Sequence, residues 1–295
     1  MPSAPPVEPI YQELAGLRCV SSSFLSPPLP EQRRIAHVLS TIQRAIAAQE
    51  NLIAAARETK RSLMQRLFTY GPGPDPAPTK ETEVGEIPEH WEVVRFQDWT
   101  TLVTKGSSPK WQGFDYCEKG IAFVRSQNVG SGVLDLTDIA YLPEAFNQKH
   151  RTSIIKKDDL LINIVGASIG RAALADSRIE GANLNQAVAL VRLREGIESR
   201  FAMNFLLTES GLDQIHRQKK EIARANISLQ DIKNFFLPFP PQYEQQEIAH
   251  ILAAADHKIA AEQQRKAALE SLFQSTLQQL MTGQIRLSER IENLG

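Results

Sequence analysis

The sequence of 295 residues predicts an α+β protein, in which one mixed α/β domain is flanked by two long helices. The first observation is a repeat: the stretch PPLPEQRRIAHVL, beginning at Pro27, returns as PPQYEQQEIAHIL at Pro240. The second is that apolar residues in both copies follow a helical period, whereas the chain between them contains short runs rich in β-branched residues. Strands that dominate a segment, with helices gathered late in it, are typical of the α+β class.

The two copies predict helices that pack on each other. Aligned without gaps, residues 27–69 match residues 240–282 at seventeen of forty-three positions. Each copy carries an apolar seam with steps of three and four: Leu39, Ile42, Ile46, Ile53, Ala56, Leu63 and Leu67, then Ile248, Leu252, Ala255, Ile259, Leu269, Phe273 and Leu280. Gln49 and Lys60 interrupt the first seam, and Glu262 and Lys266 the second. A lone helix would leave its seam in water, which favours a coiled coil; the alternative is two surface helices on the middle domain.

Turn and cap residues set the boundaries of these helices. Pro30 followed by Glu31 favours a helix start, because the ring fixes φ and the acid interacts with the helix dipole. Gly71 favours a C-terminal cap. We therefore predict helix 1 over residues 27–71, a Pro/Gly-rich linker over residues 72–84, helix 2 over residues 240–283 and a C-terminal tail over residues 284–295.

The middle domain is predicted over residues 85–239. Its strand candidates are WEVVRF, IAFVR, DLLINIV, RAALA and AVALVRL, beginning at Trp91, Ile121, Asp159, Arg171 and Ala187. Residues 198–218 read as one helix, and residues 227–235 as a short helix that returns the chain to the second copy. The two glycines in VGASIGRAAL indicate a tight turn between strands, because no helix clearly follows them.

Composition and motifs exclude several classes of protein. A net charge of −1 gives no overall basic field, and Cys19 and Cys117 lie in no Cys-x-x-Cys or Cys/His cluster that would bind zinc. The sequence contains neither a phosphate-binding loop nor a dinucleotide-binding turn, and its six histidines are scattered. We therefore expect no catalytic residues, no metal and no cofactor. The chain also lacks an apolar run of membrane-spanning length, so we expect a cytoplasmic protein with no membrane partner.

Several motifs together resemble type I restriction–modification specificity subunits. The two repeat copies resemble the conserved regions of that family, and VGEIPEHWEVVRF resembles the entry to one of its target-recognition domains. KKDDLLINIVGASIGRAAL and ANISLQDIKNFFLPFPP resemble the central signature and the exit of such a domain. The resemblance covers about residues 27–287, with only one complete recognition domain. It implies a half-type or truncated subunit, in which residues 1–26 are the remnant tail of a preceding recognition domain.

The resemblance carries expectations about structure and partners. It implies that the long helices pair as an antiparallel coiled coil and that the chain reads double-stranded DNA without catalysing a reaction. It also implies that the chain scaffolds a type I methyltransferase (modification) subunit and a restriction/translocase subunit. Because one recognition domain is absent, we expect a homodimer or pairing with a second half-subunit. The alternative is a coiled-coil adaptor or decayed half-subunit that binds these partners without DNA specificity of its own.

Candidate contact residues follow from the type of each side chain. Arg suits guanine, Asn and Gln suit adenine, and Lys and small polar groups hold phosphates. The candidates for DNA are Lys105, Ser107, Ser108, Lys110, Arg125, Gln127, Asn128, Asn185, Gln186, Arg217, Lys219, Lys220, Arg224 and Asn226, with Asn183 and Asn185 alternatively forming turns. The candidates for partner subunits are the repeat equivalents Glu31, Gln32 and His37, and Glu244, Gln245 and His250.

Overall fold

The computed structural model describes residues 27–221 and 226–287, without the side chains of residue 216 and residues 218–221. The chain divides into two compact units, Met1–Glu50 with Gln264–Gly295, and Asn51–Gln263. The helices are α1 (Leu29–Tyr70), α2 (Ala145–Lys149), α3 (Ser199–Leu206), α4 (Glu209–Glu221), α5 (Leu229–Asn234) and α6 (Gln242–Met281). The strands are β1 (Thr79–Thr82), β2 (Gly85–Pro88), β3 (Glu92–Arg95), β4 (Thr100–Lys105), β5 (Ile121–Val124), β6 (Ala140–Leu142), β7 (Leu160–Asn163), β8 (Ala172–Leu174), β9 (Asn183–Leu184), β10 (Val188–Leu193) and β11 (Phe236–Phe239).

The repeated Pro-Pro pair builds the same helix start twice. The carbonyl oxygen of Pro28 accepts hydrogen bonds from the N–H groups three and four residues later, at 2.8 and 3.0 Å, and that of Pro241 does the same at 3.0 and 3.1 Å. Helix α1 ends at the predicted cap, because Gly71 has a φ of 79° and its N–H donates to the carbonyl oxygen of Leu67 at 3.0 Å. The prediction of two long helices, of 42 and 40 residues, is confirmed.

The helical segments of the first unit run antiparallel. Glu50 on α1 forms an ion pair with Lys266 on α6, at 2.8 Å. Glu31, near the start of α1, pairs with Arg286, beyond the end of α6, at 3.0 Å. Partner numbers rise on one segment as they fall on the other, which is the signature of antiparallel pairing. Lys266, which interrupts the predicted apolar seam, is accommodated by its charged partner across the helix pair.

The helical segments of the second unit have the same orientation. Lys60 pairs with Asp256 at 2.6 Å, and these side chains are only 13% and 22% exposed. The last turns of α1 and the first turns of α6 share one hydrophobic core, which includes Leu67, Ile248 and Leu252. The prediction that Leu67 lies near the start of the second helix is therefore confirmed. Lys60 interrupts the apolar seam because its ammonium group forms an ion pair with Asp256 on the facing helix.

A four-stranded antiparallel sheet, in the order β4-β10-β7-β8, forms the centre of the second unit. Strand β10 is buried on both faces: Ala189 and Val191 join the core that also contains the helices, whereas Val188 and Leu190 join a second core on the opposite face. This alternation follows from the two-residue period of a strand. The predicted α+β class and all five predicted strands are confirmed.

Smaller sheets surround this centre. Strand β5 pairs antiparallel with β6 and parallel with β9, and β11 pairs antiparallel with β3. Strand β1 pairs with β2 in a hairpin, so the segment 72–84, predicted as a linker, contains a strand. Thr79 in that segment is fixed by its side-chain hydrogen bond to Glu86, at 2.5 Å. Strands β1, β2, β4, β6, β9 and β11 were not among the predicted strands.

The segment 198–218, predicted as one helix, instead forms the two helices α3 and α4. The Thr208 hydroxyl donates to the carbonyl oxygen of Phe205 at 2.6 Å and accepts from the Gly211 N–H at 3.2 Å, so it closes one helix and caps the next. Gly211 lies so close to the first helix that a Cβ there would stand 2.4 Å from the carbonyl oxygen of Phe205. The break is therefore a backbone contact, which the apolar period does not reveal. Among the helices of the described residues, none is long and apolar enough to cross a membrane.

Candidate nucleic-acid interface

Three of the predicted DNA-contacting segments meet at one edge of the second unit. They follow the last residues of β4, β5 and β9. The Ser107 N–H donates to the carbonyl oxygen of Leu184 at 3.2 Å, and the Asn185 N–H donates to that of Val124 at 3.0 Å. Gly106 is required here, because a Cβ would stand 1.6 Å from the carbonyl oxygen of Leu184. The strand pairing therefore brings residues 105–110, 125–128 and 183–186 together. We call these three segments the loop edge.

Asn226 lies beside the same end of the central sheet. It forms a bridge with Val165, and the next residue, Ile227, donates its N–H to the carbonyl oxygen of Ile164 at 3.0 Å. The Ile164 N–H in turn donates to the carbonyl oxygen of Ala187, at 2.9 Å, directly after the loop edge. Asn226 is exposed and therefore available to a ligand.

The basic segment lies between α4 and Asn226. Arg217 is exposed. The side chains of Lys219 and Lys220, and all of Arg224, lie outside the described residues. Helix α4, which carries Arg217, Lys219 and Lys220, packs against the turn between β7 and β8.

The segment that follows β4 presents two exposed lysines, Lys105 and Lys110, around two half-buried serines, Ser107 and Ser108. The Ser107 hydroxyl lies 3.3 Å from Nδ1 of His150. Partial burial, with the nearby charge of Lys149 as the lesser cause, lowers the pKa of His150 below its ordinary value of 6.5. The neutral imidazole can therefore exchange a hydrogen bond with this loop at neutral pH.

Arg125 and Gln127 converge on one carboxylate, that of Asp138. The Arg125 guanidinium lies 3.1 Å from the Asp138 carboxylate and also donates to the backbone carbonyl of the same residue. The Gln127 amide donates to the same carboxylate oxygen at 2.7 Å. The Arg125 side chain is only 22% exposed, whereas that of Asp138 is 76% exposed. Gln127 and Asp138 therefore form the outer polar surface of this loop, and Arg125 supports it from behind.

Asn128 holds the loop together and is withdrawn from the candidates for base contact. It is 2% exposed. Its side-chain oxygen accepts from the Arg125 N–H at 2.9 Å, and its amide nitrogen donates to the carbonyl oxygens of Asp135 and Asp138, at 2.9 and 3.3 Å. A base could be reached only by breaking these bonds, and a buried polar group left without a partner costs about 1–3 kcal/mol.

The segment 183–186 also contains both a buried amide with a structural role and an exposed amide. Asn183 is fully buried and bonds to the Asn147 side chain, the Ser153 hydroxyl and the His150 carbonyl, at 2.8, 2.8 and 3.0 Å, so the alternative of a structural role holds for it. The side chain of Asn185 accepts from the Ala187 N–H at 3.0 Å, which forms a turn. The next residue, Gln186, is exposed, so its amide is open to solvent.

Two of the predicted partner-contacting residues are used inside the chain. The Glu244 carboxylate, in a residue that is 5% exposed, accepts hydrogen bonds from the Trp91 indole, from His90 Nε2 and from the Tyr243 hydroxyl, at 2.8, 2.8 and 3.0 Å. Gln245, 1% exposed, donates to the Pro240 carbonyl at 3.0 Å and accepts from a backbone N–H at 3.1 Å. Both residues are therefore withdrawn from the partner surface.

The other four predicted partner contacts differ in exposure. Glu31 is 7% exposed and is held by its ion pair with Arg286. Gln32 is exposed, and its amide donates to the Pro27 carbonyl at 2.8 Å, just as Gln245 does to the equivalent proline. The repeated Glu-Gln pair thus serves the helix start in both copies. His37 and His250 are exposed at equivalent positions of the two helices.

Two exposed side chains near the loop edge were not identified from the sequence. One is Asp138, which orients Gln127. The other is Trp111, which follows Lys110 and is 90% exposed. The tryptophan was detectable in principle, because it stands in a polar stretch that contains Gly and Pro and lacks a strand or helix period. Nothing in the sequence links Asp138 to Gln127, because that contact depends on the shape of the loop.

Among the residues that the structure describes, no group of three His, Cys, Asp or Glu side chains could hold a metal ion. The chemistry of the interface is that of polar and basic side chains on loops, fixed by a rigid sheet. Such side chains can hydrogen-bond to base edges or phosphates.

Comparison with known proteins assigns the family. Residues 88–271, more than half of the chain, match the family model described as the type I restriction modification DNA specificity domain. The MjaVIII specificity subunit of Methanocaldococcus jannaschii is 28% identical over 266 residues, covering 88% of this chain and 61% of that protein. The EcoBI specificity subunit of Escherichia coli is 25% identical over 286 residues, covering 90% and 59%.

A solved structure shares the fold. The crystal structure of a type I restriction–modification system S subunit from M. genitalium superposes with a TM-score of 0.57 at 16% identity, covering 85% of this chain and 61% of that one. The chain thus spans about three fifths of the length of the relatives it matches. On the family match over residues 88–271, this chain belongs to the family of type I restriction–modification DNA specificity domains.

Proposed function

We propose that this chain is the sequence-specific DNA-recognition subunit of a type I restriction–modification complex, in the cytoplasm where its DNA substrate lies. The observation that carries the proposal is the loop edge: three polar segments, far apart in sequence, meet on a framework that fixes their backbone. Residues 85–239 act as the recognition domain. The chain itself is not catalytic, and the methyltransferase subunit supplies the chemistry.

The contacts and exposure of each side chain support a division of the proposed DNA-binding residues by role. Gln127 and Gln186 are exposed amides and read bases, because a Gln side chain can bond to two atoms of adenine at once. Asp138 can accept a hydrogen bond from the amino group of cytosine. Lys105 and Lys110 hold phosphates, together with the basic segment of Arg217, Lys219, Lys220 and Arg224. Arg125 positions Asp138, with which it forms an ion pair.

The two long helices, residues 27–71 and 240–283, serve as the spacer and scaffold. His37 and His250 are exposed at equivalent positions, which suits two equivalent contacts with partner subunits. The proposed partners are a methyltransferase subunit and a restriction/translocase subunit. Each His can be tested by substitution with Ala and size-exclusion chromatography of the reconstituted complex.

We further propose that this chain pairs with another chain, either a second copy or a different half-subunit, which carries a further recognition domain. The support is the repeat: residues 27–50 and 264–287 contain the same helix motifs as the second unit but, among the described residues, no sheet. Two copies related by a two-fold axis would read a symmetric site, because such a dimer presents the same surface twice. A strictly monomeric chain that, with its methyltransferase subunit, recognises a single half-site would contradict this part of the proposal.

The proposed function is tested by exchanging the recognition domain. The chain is reconstituted with a type I methyltransferase subunit, and the methylated sequences are mapped on genomic DNA. We expect methylation at one defined DNA sequence. When residues 85–239 are replaced by the equivalent segment of a relative, we expect the chimera to methylate the DNA sequence that the relative recognises. Methylation without any defined sequence, or a chimera that keeps the original one, would contradict the proposal. The first of these outcomes would instead favour an adaptor without DNA specificity.

A further inference from the structure

Trp111 is presented to solvent to an unusual extent. It is 90% exposed, the largest exposure among the large hydrophobic side chains of the described residues. The other two tryptophans of the chain, Trp91 and Trp99, are 0% and 3% exposed. A tryptophan side chain can bury roughly 150–250 Å² of surface, so nearly all of this capacity is unused at position 111.

The loop that carries Trp111 is a turn closed by backbone hydrogen bonds. Its chain turns at Pro109, whose carbonyl oxygen accepts from the N–H groups of Gln112 and Phe114, at 2.9 and 3.0 Å. Gly113, with a φ of 83°, completes the turn and donates its N–H to the Lys110 carbonyl at 3.2 Å. Trp111 therefore sits at the tip of a closed turn. Its exposure follows from the fold of this turn.

Both ends of this loop are also fixed. At one end, Gly106 and Ser107 lie against Leu184 in the loop edge. At the other end, the Phe114 ring packs edge-on against Phe146, with ring centroids 5.3 Å apart. The Lys149 ammonium donates to the Gln112 carbonyl at 3.2 Å and ties the turn to α2. The backbone that carries the indole is thus held in place before any ligand binds, which lowers the entropy that ordering this loop would cost.

We propose that Trp111 is a stacking wedge that contacts the bases of the DNA read by the loop edge. This inference rests on the proposed function. It extends that function from polar readout to an aromatic contact, in which the indole lies against an exposed base face or enters between neighbouring base pairs. Apolar side chains that enter the base stack in this way are known to unstack and bend a duplex.

Charge around the indole favours DNA as the partner. Lys105 and Lys110 precede the tryptophan in sequence and are exposed. Lys149, which holds the turn, is exposed too. A tryptophan at the centre of a protein–protein contact is normally surrounded by residues that exclude water. Trp111 stands instead at an exposed tip next to Lys110, in a turn that Lys149 contacts, which matches a base contact beside phosphate contacts.

The test measures the accessibility of the indole. The full chain, in complex with its methyltransferase subunit, is used to enrich a binding site from random-sequence duplex DNA. Quenching of tryptophan fluorescence by acrylamide is then compared without and with the enriched duplex. Because Trp91 and Trp99 are buried, Trp111 is the accessible tryptophan of this chain, and the difference between the wild-type complex and the Trp111→Ala complex isolates its signal. We expect the duplex to protect the accessible component, and we expect that component to be absent in Trp111→Ala.

Affinity gives the second readout. Stacking of one base on an aromatic side chain predicts that Trp111→Ala weakens binding to the enriched duplex about 5- to 150-fold. Trp111→Phe should retain most of the affinity, because it keeps a ring.

The possible outcomes distinguish a failure of the proposed Trp111 contact from a failure of the proposed DNA recognition. An enriched site that leaves Trp111 open to the quencher, with unchanged affinity in Trp111→Ala, would overturn the wedge alone. Loss of the methyltransferase subunit from Trp111→Ala, with DNA binding intact, would identify a protein contact and also overturn it. Failure to enrich any sequence would overturn the proposed function and the wedge together.

Discussion

The Glu244 carboxylate is predicted to hold the second helix to the recognition domain, and Glu244→Ala tests this. The carboxylate is 5% exposed and accepts from the Trp91 indole at 2.8 Å. Trp91 is itself fully buried, in the core shared by the sheet and the helices. His90 and Tyr243 also donate to Glu244, but their side chains are largely accessible to water.

The expected loss in free energy of unfolding depends on which hydrogen-bond donor is left without an acceptor. Without the carboxylate, the His90 and Tyr243 donors turn to water, whereas the buried Trp91 N–H is left without an acceptor. An unsatisfied buried donor costs about 1–3 kcal/mol, and the loss of a hydrogen bond to a charged group lies in the same range. We therefore expect Glu244→Ala to lower the free energy of unfolding by about 1–3 kcal/mol. Glu244→Gln keeps an acceptor for the indole and should cost less.

The repeat supplies a matched control. Glu31 occupies the equivalent position on α1, but its partner is Arg286, whose side chain is 57% exposed. Arg286 can return to water, so Glu31→Ala should cost about 0–1 kcal/mol. Urea unfolding, followed by the fluorescence of Trp91 and Trp99 and by circular dichroism, would measure both variants in the same background.

A double-mutant cycle separates the hydrogen bond from other effects. If Glu244→Ala destabilises the protein by leaving the Trp91 N–H without an acceptor, the loss in free energy of unfolding should be smaller by about 1–3 kcal/mol in a Trp91→Phe background, where that N–H does not exist. Equal costs in the two backgrounds would refute the reasoning. So would a Glu31→Ala variant as unstable as Glu244→Ala.

Three further outcomes are expected. Gln127→Ala should cost about 1–3 kcal/mol on the recognised duplex and little on a scrambled one, whereas an equal loss on both would contradict base reading. Lys220→Ala should weaken binding to all sequences alike and reduce the slope of log affinity against log salt by about one, as measured in a salt series. Because the pKa of His150 is lowered from 6.5, the unfolded chain binds its proton more tightly than the folded chain does. Folding stability should therefore fall as the pH drops below about 6.5, and His150→Gln should remove that part of the pH dependence of the urea midpoint.

The long helices could be predicted because their signals are local. The Pro-Pro pair, the three- and four-residue apolar steps and the glycine cap each act within one or two turns of the chain. Pro28 and Pro241 accept the same backbone hydrogen bonds, so the repeat in sequence is a repeat in structure. The hydrophobic strands β7 and β10 were equally clear, because burial on both faces leaves a continuous apolar run.

The remaining elements depend on contacts between distant residues. Strand β9 is two residues long and exists because it pairs in parallel with β5, which lies about sixty residues earlier in the chain. The break between α3 and α4 depends on the close approach of Gly211 to a backbone carbonyl. The repeat also misled in one respect, because equal residues do not imply equal neighbours: Glu244 meets Trp91, whereas Glu31 meets Arg286.

The candidate site shows the same limit at the level of single side chains. A sequence cannot tell an amide that reads a base from one that fastens a loop, because both roles need a polar residue between strands. Burial makes the distinction here. Asn128 and Gln127 are adjacent in sequence. The Asn128 side chain forms hydrogen bonds with the loop backbone, whereas the Gln127 side chain is exposed to solvent.

Buried amides recur at the loop edge, and their arrangement separates framework from readout. Asn163 donates to the carbonyl oxygens of Ser126 and Val129, at 2.8 and 3.2 Å, and so fastens the loop that carries Gln127 to the central sheet. Asn183, in the segment that ends in Gln186, donates to the Asn147 side chain and the His150 carbonyl and accepts from the Leu184 N–H, and so ties that segment to the residues around the end of α2. Because these amides satisfy the loop backbone from below, the exposed positions can change without leaving a buried group unpaired. On the proposed function, we expect substitutions at the outer side chains to change the recognised DNA sequence, on a backbone that the buried asparagines keep in place.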